Sequence, residues 1–182
     1  MRKFDRKQIK NDLREIMTKD TVFVCVGTNK ALFDIFGPLC GSYLKRKNIP
    51  YFGDCDYNVN ALTMYTRLEE IKKLNIDNKN IIAIDAAVTK EGDKVNTVVV
   101  NRNRGIYPGA GVGKKFPEIG KNAIMMFTLS REDLKPTLDG YRNGKGMMND
   151  RCDIKRIRRY AKELVKVIDE VYQEACGVQV LV

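Results

Sequence analysis

The chain has 182 residues, 43% hydrophobic and 31% charged, with a formal charge of +10. That length gives one full-sized core rather than two domains, and no apolar run reaches the roughly 18 residues of a membrane-spanning helix. Histidine is absent, which excludes Ser-His and Cys-His couples and removes the commonest metal ligand and neutral-pH proton shuttle.

Acid–base chemistry is therefore left to carboxylates, Lys, Tyr or Cys. The five cysteines are odd in number and form no C-x-x-C pair, which argues against a disulfide framework or a zinc ribbon. Reduced thiols are expected, with Cys25 and Cys40 in the core. Residues 1–20 are basic but lack the apolar stretch of a secretory signal. A cytoplasmic location is the expectation, and the whole of 1–182 is expected to form one domain.

In chain order, residues 2–19 place Phe4, Ile9, Leu13, Ile16 and Met17 among Lys and Arg, the spacing of an amphipathic helix lying on a sheet. Residues 21–26 are a β-branched run that predicts a first buried strand, ended by Gly27, Thr28 and Asn29. A helix is expected to open at 34–38 and run to about residue 47, with Pro38 tolerated in its first turn. Residues 49–52 form a short second strand and 53–60 a polar loop. Residues 61–74 predict a helix with Leu62, Tyr65, Leu68, Ile71, Lys72 and Leu74 along one side.

Ile81, Ile82, Ala83 and Ile84 then run straight into Asp85, which reads as a buried strand delivering an acid to its end. Residues 96–101 and 123–129 are further strands. Residues 102–121 carry too many Gly and Pro for an element, and so long a loop is usually functional. Residues 131–150 read as a polar, turn-rich excursion. Residues 153–176 close the chain as a long helix with Ile154, Ile157, Ala161, Leu164, Val165, Ile168 and Tyr172 inward, ended by Gly177. Strand and helix alternate through the first half, predicting an α/β domain built on right-handed βαβ units.

Asp34 and Asp85 are the candidate chemistry. Both follow strands expected to be parallel, so if those strands are neighbours the carboxylates converge over one crevice. Two close carboxyls resist ionising together, leaving one as acid and one as base, which suits amide hydrolysis by activated water. The alternatives are an N-cap for Asp34 and a turn or cap for Asp85.

The stretch Pro108, Gly109, Ala110, Gly111, Val112, Gly113, Lys114 fails the Walker A register, and no Ser or Thr follows Lys114. Its glycines instead allow close backbone approach and N–H groups for a peptide or oxyanion. Gly27, Thr28, Asn29, Pro108, Gly109, Gly111 and Gly113 are the candidate substrate contacts. The basic runs at 155–159 and 45–47 read as solvated faces, because no aromatic residues or reader motif accompany them; nucleic acid is not the expected partner.

One ordered series of motifs carries a resemblance. It comprises Cys25-Val26-Gly27-Thr28, Asp34-Ile35-Phe36-Gly37-Pro38, Ala83-Ile84-Asp85-Ala86, Val95-Asn96-Thr97 and Gly105-Ile106-Tyr107-Pro108-Gly109-Ala110-Gly111-Val112-Gly113, followed by Pro117-Glu118-Ile119-Gly120. The series resembles the YyaC-type sporulation proteins and the germination protease family that degrades small acid-soluble spore proteins. It implies a three-layer, phosphorylase/hydrolase-like α/β fold, mostly parallel, with helices on both faces. It also implies an aspartic peptidase whose catalytic pair matches Asp34 and Asp85, acting without cofactor or metal on a small spore protein in the forespore or spore core. The segment from Thr28 to Phe33 departs from the Asp-Arg-Ser-Thr-Gly usual in YyaC-type proteins. A non-catalytic sporulation-associated peptide- or protein-binding module of the same fold is the alternative, and a homo-oligomer is compatible with either. The hydrogenase maturation proteases share the fold, but Ile35 stands where that family carries a second acid, and histidine is absent; nickel-dependent recognition is not expected.

Overall fold

The computed structural model describes residues 3–109, 116–142 and 152–177. Asp5 caps the first helix, α1 (Arg6–Ile16), by accepting the Gln8 N–H at 3.1 Å, and α1 turns Ile9 and Leu13 inward. Strand β1 (Val22–Cys25) follows, then a 3₁₀ turn at Leu32–Asp34, helix α2 (Phe36–Lys45) and strand β2 (Tyr51–Phe52). Helix α3 (Met64–Lys73) leads to β3 (Ile81–Thr89), β4 (Val98–Asn101) and β5 (Asn122–Ser130), before helices α4 (Arg131–Arg142) and α5 (Ile154–Ala175). Among the described residues no helix is long and apolar enough to cross a membrane.

The sheet order is β2-β1-β3-β5-β4; the first four strands are parallel and β4 runs antiparallel to β5. Alternation along the strands sends side chains to two cores, as the pleat requires. Phe23, Cys25, Ile82, Ile84, Ile124 and Met126 meet α1, α2 and α5 on one face. Val24, Val26, Ala83 and Ala123 meet Met64 and Ile71 of α3, with Ile106, Phe116 and Ile119 of the long loop, on the other. Helices thus cover both faces of a mostly parallel mixed sheet, the α/β architecture expected from the strand–helix alternation. Cys25 and Cys40 are fully buried core residues. Between α1 and α5 runs a ladder of ion pairs in which Lys10 reaches Glu170 at 2.9 Å and Arg14 grips Glu174 through two nitrogens at 2.9 and 3.0 Å.

Two elements depart from the sequence-based expectation. Helix α3 starts at Met64 because Asn60–Thr63 closes a turn first: the Thr63 N–H donates to the Asn60 carbonyl, and the Asn60 side chain accepts the Leu62 N–H. The inner stripe is then Met64, Leu68 and Ile71, while Leu62 is 88% and Tyr65 72% exposed. Residues 131–142, expected as an irregular excursion, are helix α4. Ser130 accepts the Asp133 N–H at 3.2 Å and starts the helix. Pro136 lies inside it, one turn beyond the exposed Glu132, to whose carbonyl it has no N–H to donate. The expectations for 143–150 lie outside the described residues.

Candidate active site

The site lies at the carboxyl ends of β1, β3 and β5, and close backbone packing builds it. Val26 continues β1 by donating its N–H to the Ile84 carbonyl at 2.7 Å. At Gly27 the chain turns away with φ of 133°, and a Cβ there would stand 2.1 Å from the Asp34 carbonyl oxygen. Only glycine fits that position. The 28–34 loop closes on itself where the Thr28 N–H meets the Asp34 carbonyl at 3.0 Å, and the Thr128 hydroxyl of β5 donates to the Phe33 carbonyl at 2.7 Å. Gly37, in the first turn of α2, lets the helix settle onto the strand ends: an added Cβ would lie 2.0 Å from the Val26 oxygen and 2.7 Å from that of Ile84. These contacts hold Asp34 against the end of β1.

Asp85 does not end its strand, as the sequence led us to expect. The β3 strand runs on to Thr89, paired with β5, and Asp85 stands opposite Met125. The β1–β3 pairing stops one residue earlier, at Cys25 with Ile84. Asp85 therefore has β5 on one side, while on the other β1 has already turned away and the Asp34 segment takes its place. Its Oδ1 accepts the Ala86 N–H at 2.8 Å. Asp34 is not an N-cap either: α2 is preceded by Ile35, with no side-chain cap.

Both carboxyls are half-buried on the wall of one pocket of about 660 Å³. Desolvation pushes Asp34 from the ordinary 3.8 to about 7, partly opposed by the Thr28 N–H. Asp85 is raised well above the carboxyl range by burial first and by the charge of Asp34 second, against the pull of the Ala86 N–H. No cation is among the influences on either group. Both groups therefore resist ionising, Asp85 the more so once Asp34 is charged.

Of the other candidate contacts, Gly27, Pro108 and Gly109 line the pocket. Thr28 serves through its backbone, and Asn29 is turned into the neighbouring loop, its amide donating to the Cys55 carbonyl at 2.6 Å and its N–H to Asn58. Gly111 and Gly113 lie outside the described residues. The sequence reading missed Lys90, Arg104 and Arg131, which line the same pocket. Nothing local distinguishes them from other surface cations; only the extension of β3 to Thr89 and the start of α4 at Arg131 place two of them. Among the described residues no group of three or more Cys, Asp or Glu side chains is arranged to hold a metal ion.

The family model "Protein of unknown function (DUF1256)" matches residues 2–136, and the chain belongs to that family. It is 33% identical over 115 residues to "Uncharacterized protein YyaC" of Bacillus subtilis strain 168, a match covering 62% of this chain and 55% of the relative. The chain thus spans about half the length of that relative. No solved structure matches it.

Proposed function

We propose that this DUF1256 protein is an aspartic-type peptidase in which Asp34 and Asp85 share a proton and split an amide with water. The supporting observation is the placement of two carboxyls on one open pocket, Asp34 in the turn after β1 and Asp85 within the adjacent parallel strand β3, both raised by burial and Asp85 also by the charge of Asp34. Asp85, held higher, keeps the proton and acts as general acid. Asp34, near 7, ionises around neutrality and acts as general base. Water adds its oxygen to the amide carbon while Asp34 takes its proton and Asp85 protonates the carbonyl oxygen. Collapse of the tetrahedral diol then breaks the C–N bond, with Asp34 passing its proton to the departing amine and Asp85 recovering one from the diol. No cofactor enters this scheme. The backbone at Gly109 lies beside the pocket and would hold the substrate chain.

A small spore protein as substrate, and a sporulation setting, enter the proposal through the motif resemblance alone. The test is mass-spectrometric detection of cleavage in a mixture of unstructured polypeptides by the wild type, Asp34→Asn and Asp85→Asn. Cleavage by the wild type that falls by about 10³-fold or more in each folded variant is the expected result. Wild-type protein that binds such chains without cutting them would replace the peptidase by a binding module.

A further inference from the structure

Three cations from three separate segments converge on the pocket of the carboxyl pair: Lys90 just past β3, Arg104 in the loop after β4, and Arg131 opening α4. All three are exposed. Among the described residues none of their side chains makes an ion pair or hydrogen bond, although fifteen other ion pairs knit the surface elsewhere, the α1–α5 ladder included. Nor do they serve the dyad, which they do not perturb. Among the described residues, Asp34 and Asp85 apart, the lining holds no acid to neutralise them. Unpaired cations gathered around a concave site raise the local concentration of anionic ligands and select among them.

We infer that the pocket takes an acidic segment of polypeptide, whose carboxylate side chains are received by Lys90, Arg104 and Arg131. The same lining also carries the apolar side chains of Phe127, Leu134 and Leu138, and Tyr107 stands 55% exposed at the pocket. A lining that combines cations with apolar side chains matches a chain that carries both acidic and apolar side chains. A nucleic acid carries a phosphate at every residue, and its continuous charge would meet the apolar lining and the carboxyls of Asp34 and Asp85. The inference names the substrate class of the proposed peptidase and rests on that reading for its consequence, though binding is measured apart from cutting.

The experiment is fluorescence anisotropy of Asp85→Asn protein with a labelled peptide of alternating Glu and Leu, its Gln counterpart, and a single-stranded DNA of equal length. The Glu peptide is expected to bind at least about tenfold more tightly than the Gln peptide. That preference should vanish in Lys90→Glu/Arg104→Glu/Arg131→Glu and survive in Lys155→Glu/Arg158→Glu, whose exposed cations lie on α5. Melting curves check that each variant is folded. Equal binding of the two peptides, tighter binding of DNA, or equal loss in the α5 variant would each overturn the inference. Wild-type protein separates the two proposals: cutting the Gln peptide as fast as the Glu peptide sinks the substrate class alone, whereas binding the Glu peptide without cutting it sinks the peptidase alone.

Discussion

Replacing Asp34 with Asn keeps the shape of the side chain and leaves the Thr28 N–H on the backbone carbonyl of residue 34, but removes the charge that burial opposes. The Asp34 carboxyl moves from 3.8 to about 7 on folding, a rise of about 3 units at 1.36 kcal/mol each, or about 4 kcal/mol at most. Solvent in the pocket reduces this to about 2 kcal/mol. A carboxyl raised in the folded state binds more protons there than when unfolded, so wild-type stability falls as pH rises from about 4 through 7 and levels above. Asp34→Asn escapes that loss. Urea unfolding at pH 4 and pH 8 should therefore give equal stabilities at pH 4 and a variant about 2 kcal/mol more stable at pH 8. A gap that is absent at pH 8, or larger at pH 4, would refute the reasoning.

Peptide cleavage, measured as kcat/KM against pH, should rise through about 7 as Asp34 ionises and fall again at higher pH as Asp85 loses its proton. Gly37→Ala should destabilise the fold by at least about 2 kcal/mol and abolish cleavage, since the new methyl meets backbone oxygens on both strands; denaturant unfolding reads the first effect. Thr128→Val removes the hydrogen bond to the Phe33 carbonyl, so it should cost about 1 kcal/mol and lower kcat more than it raises KM. Arg14→Ala frees Glu174, which its ion pairs hold at about 2. Because that value is depressed on folding, the contribution is present above about 4.5 and lost as pH falls toward 2. The destabilisation should accordingly be small, and a melting series in rising salt should erase it.

The strands and the two aspartates were legible because the strands are apolar runs, with Asp85 breaking the pattern within β3 and Asp34 following β1 in the next turn. Their adjacency was not. That β3 lies beside β1, with β2 outside, depends on a crossover that α3 makes over the sheet, and no local pattern records it. Helix α4 was hidden by Pro136 and Gly140, local breakers outweighed by the Ser130 cap and by Leu134, which packs against the main core. The inner stripe of α3 was misplaced because Leu62, Tyr65 and Leu74 look as apolar as Met64, Leu68 and Ile71, and only the Asn60–Thr63 turn sets the phase. Lys90, Arg104 and Arg131 are separated by 14 and 27 positions in a chain with 33 Lys and Arg. Their convergence is visible only in three dimensions.

The most direct test of the carboxyl pair is a ¹³C NMR titration of the aspartate side-chain carbons from pH 3 to 10, with Asp34→Asn and Asp85→Asn assigning the two signals. The account predicts a midpoint near 7 for Asp34, a higher one for Asp85, and a downward shift of Asp85 when Asp34 is replaced. Two independent midpoints near 4, unmoved by either substitution, would contradict it.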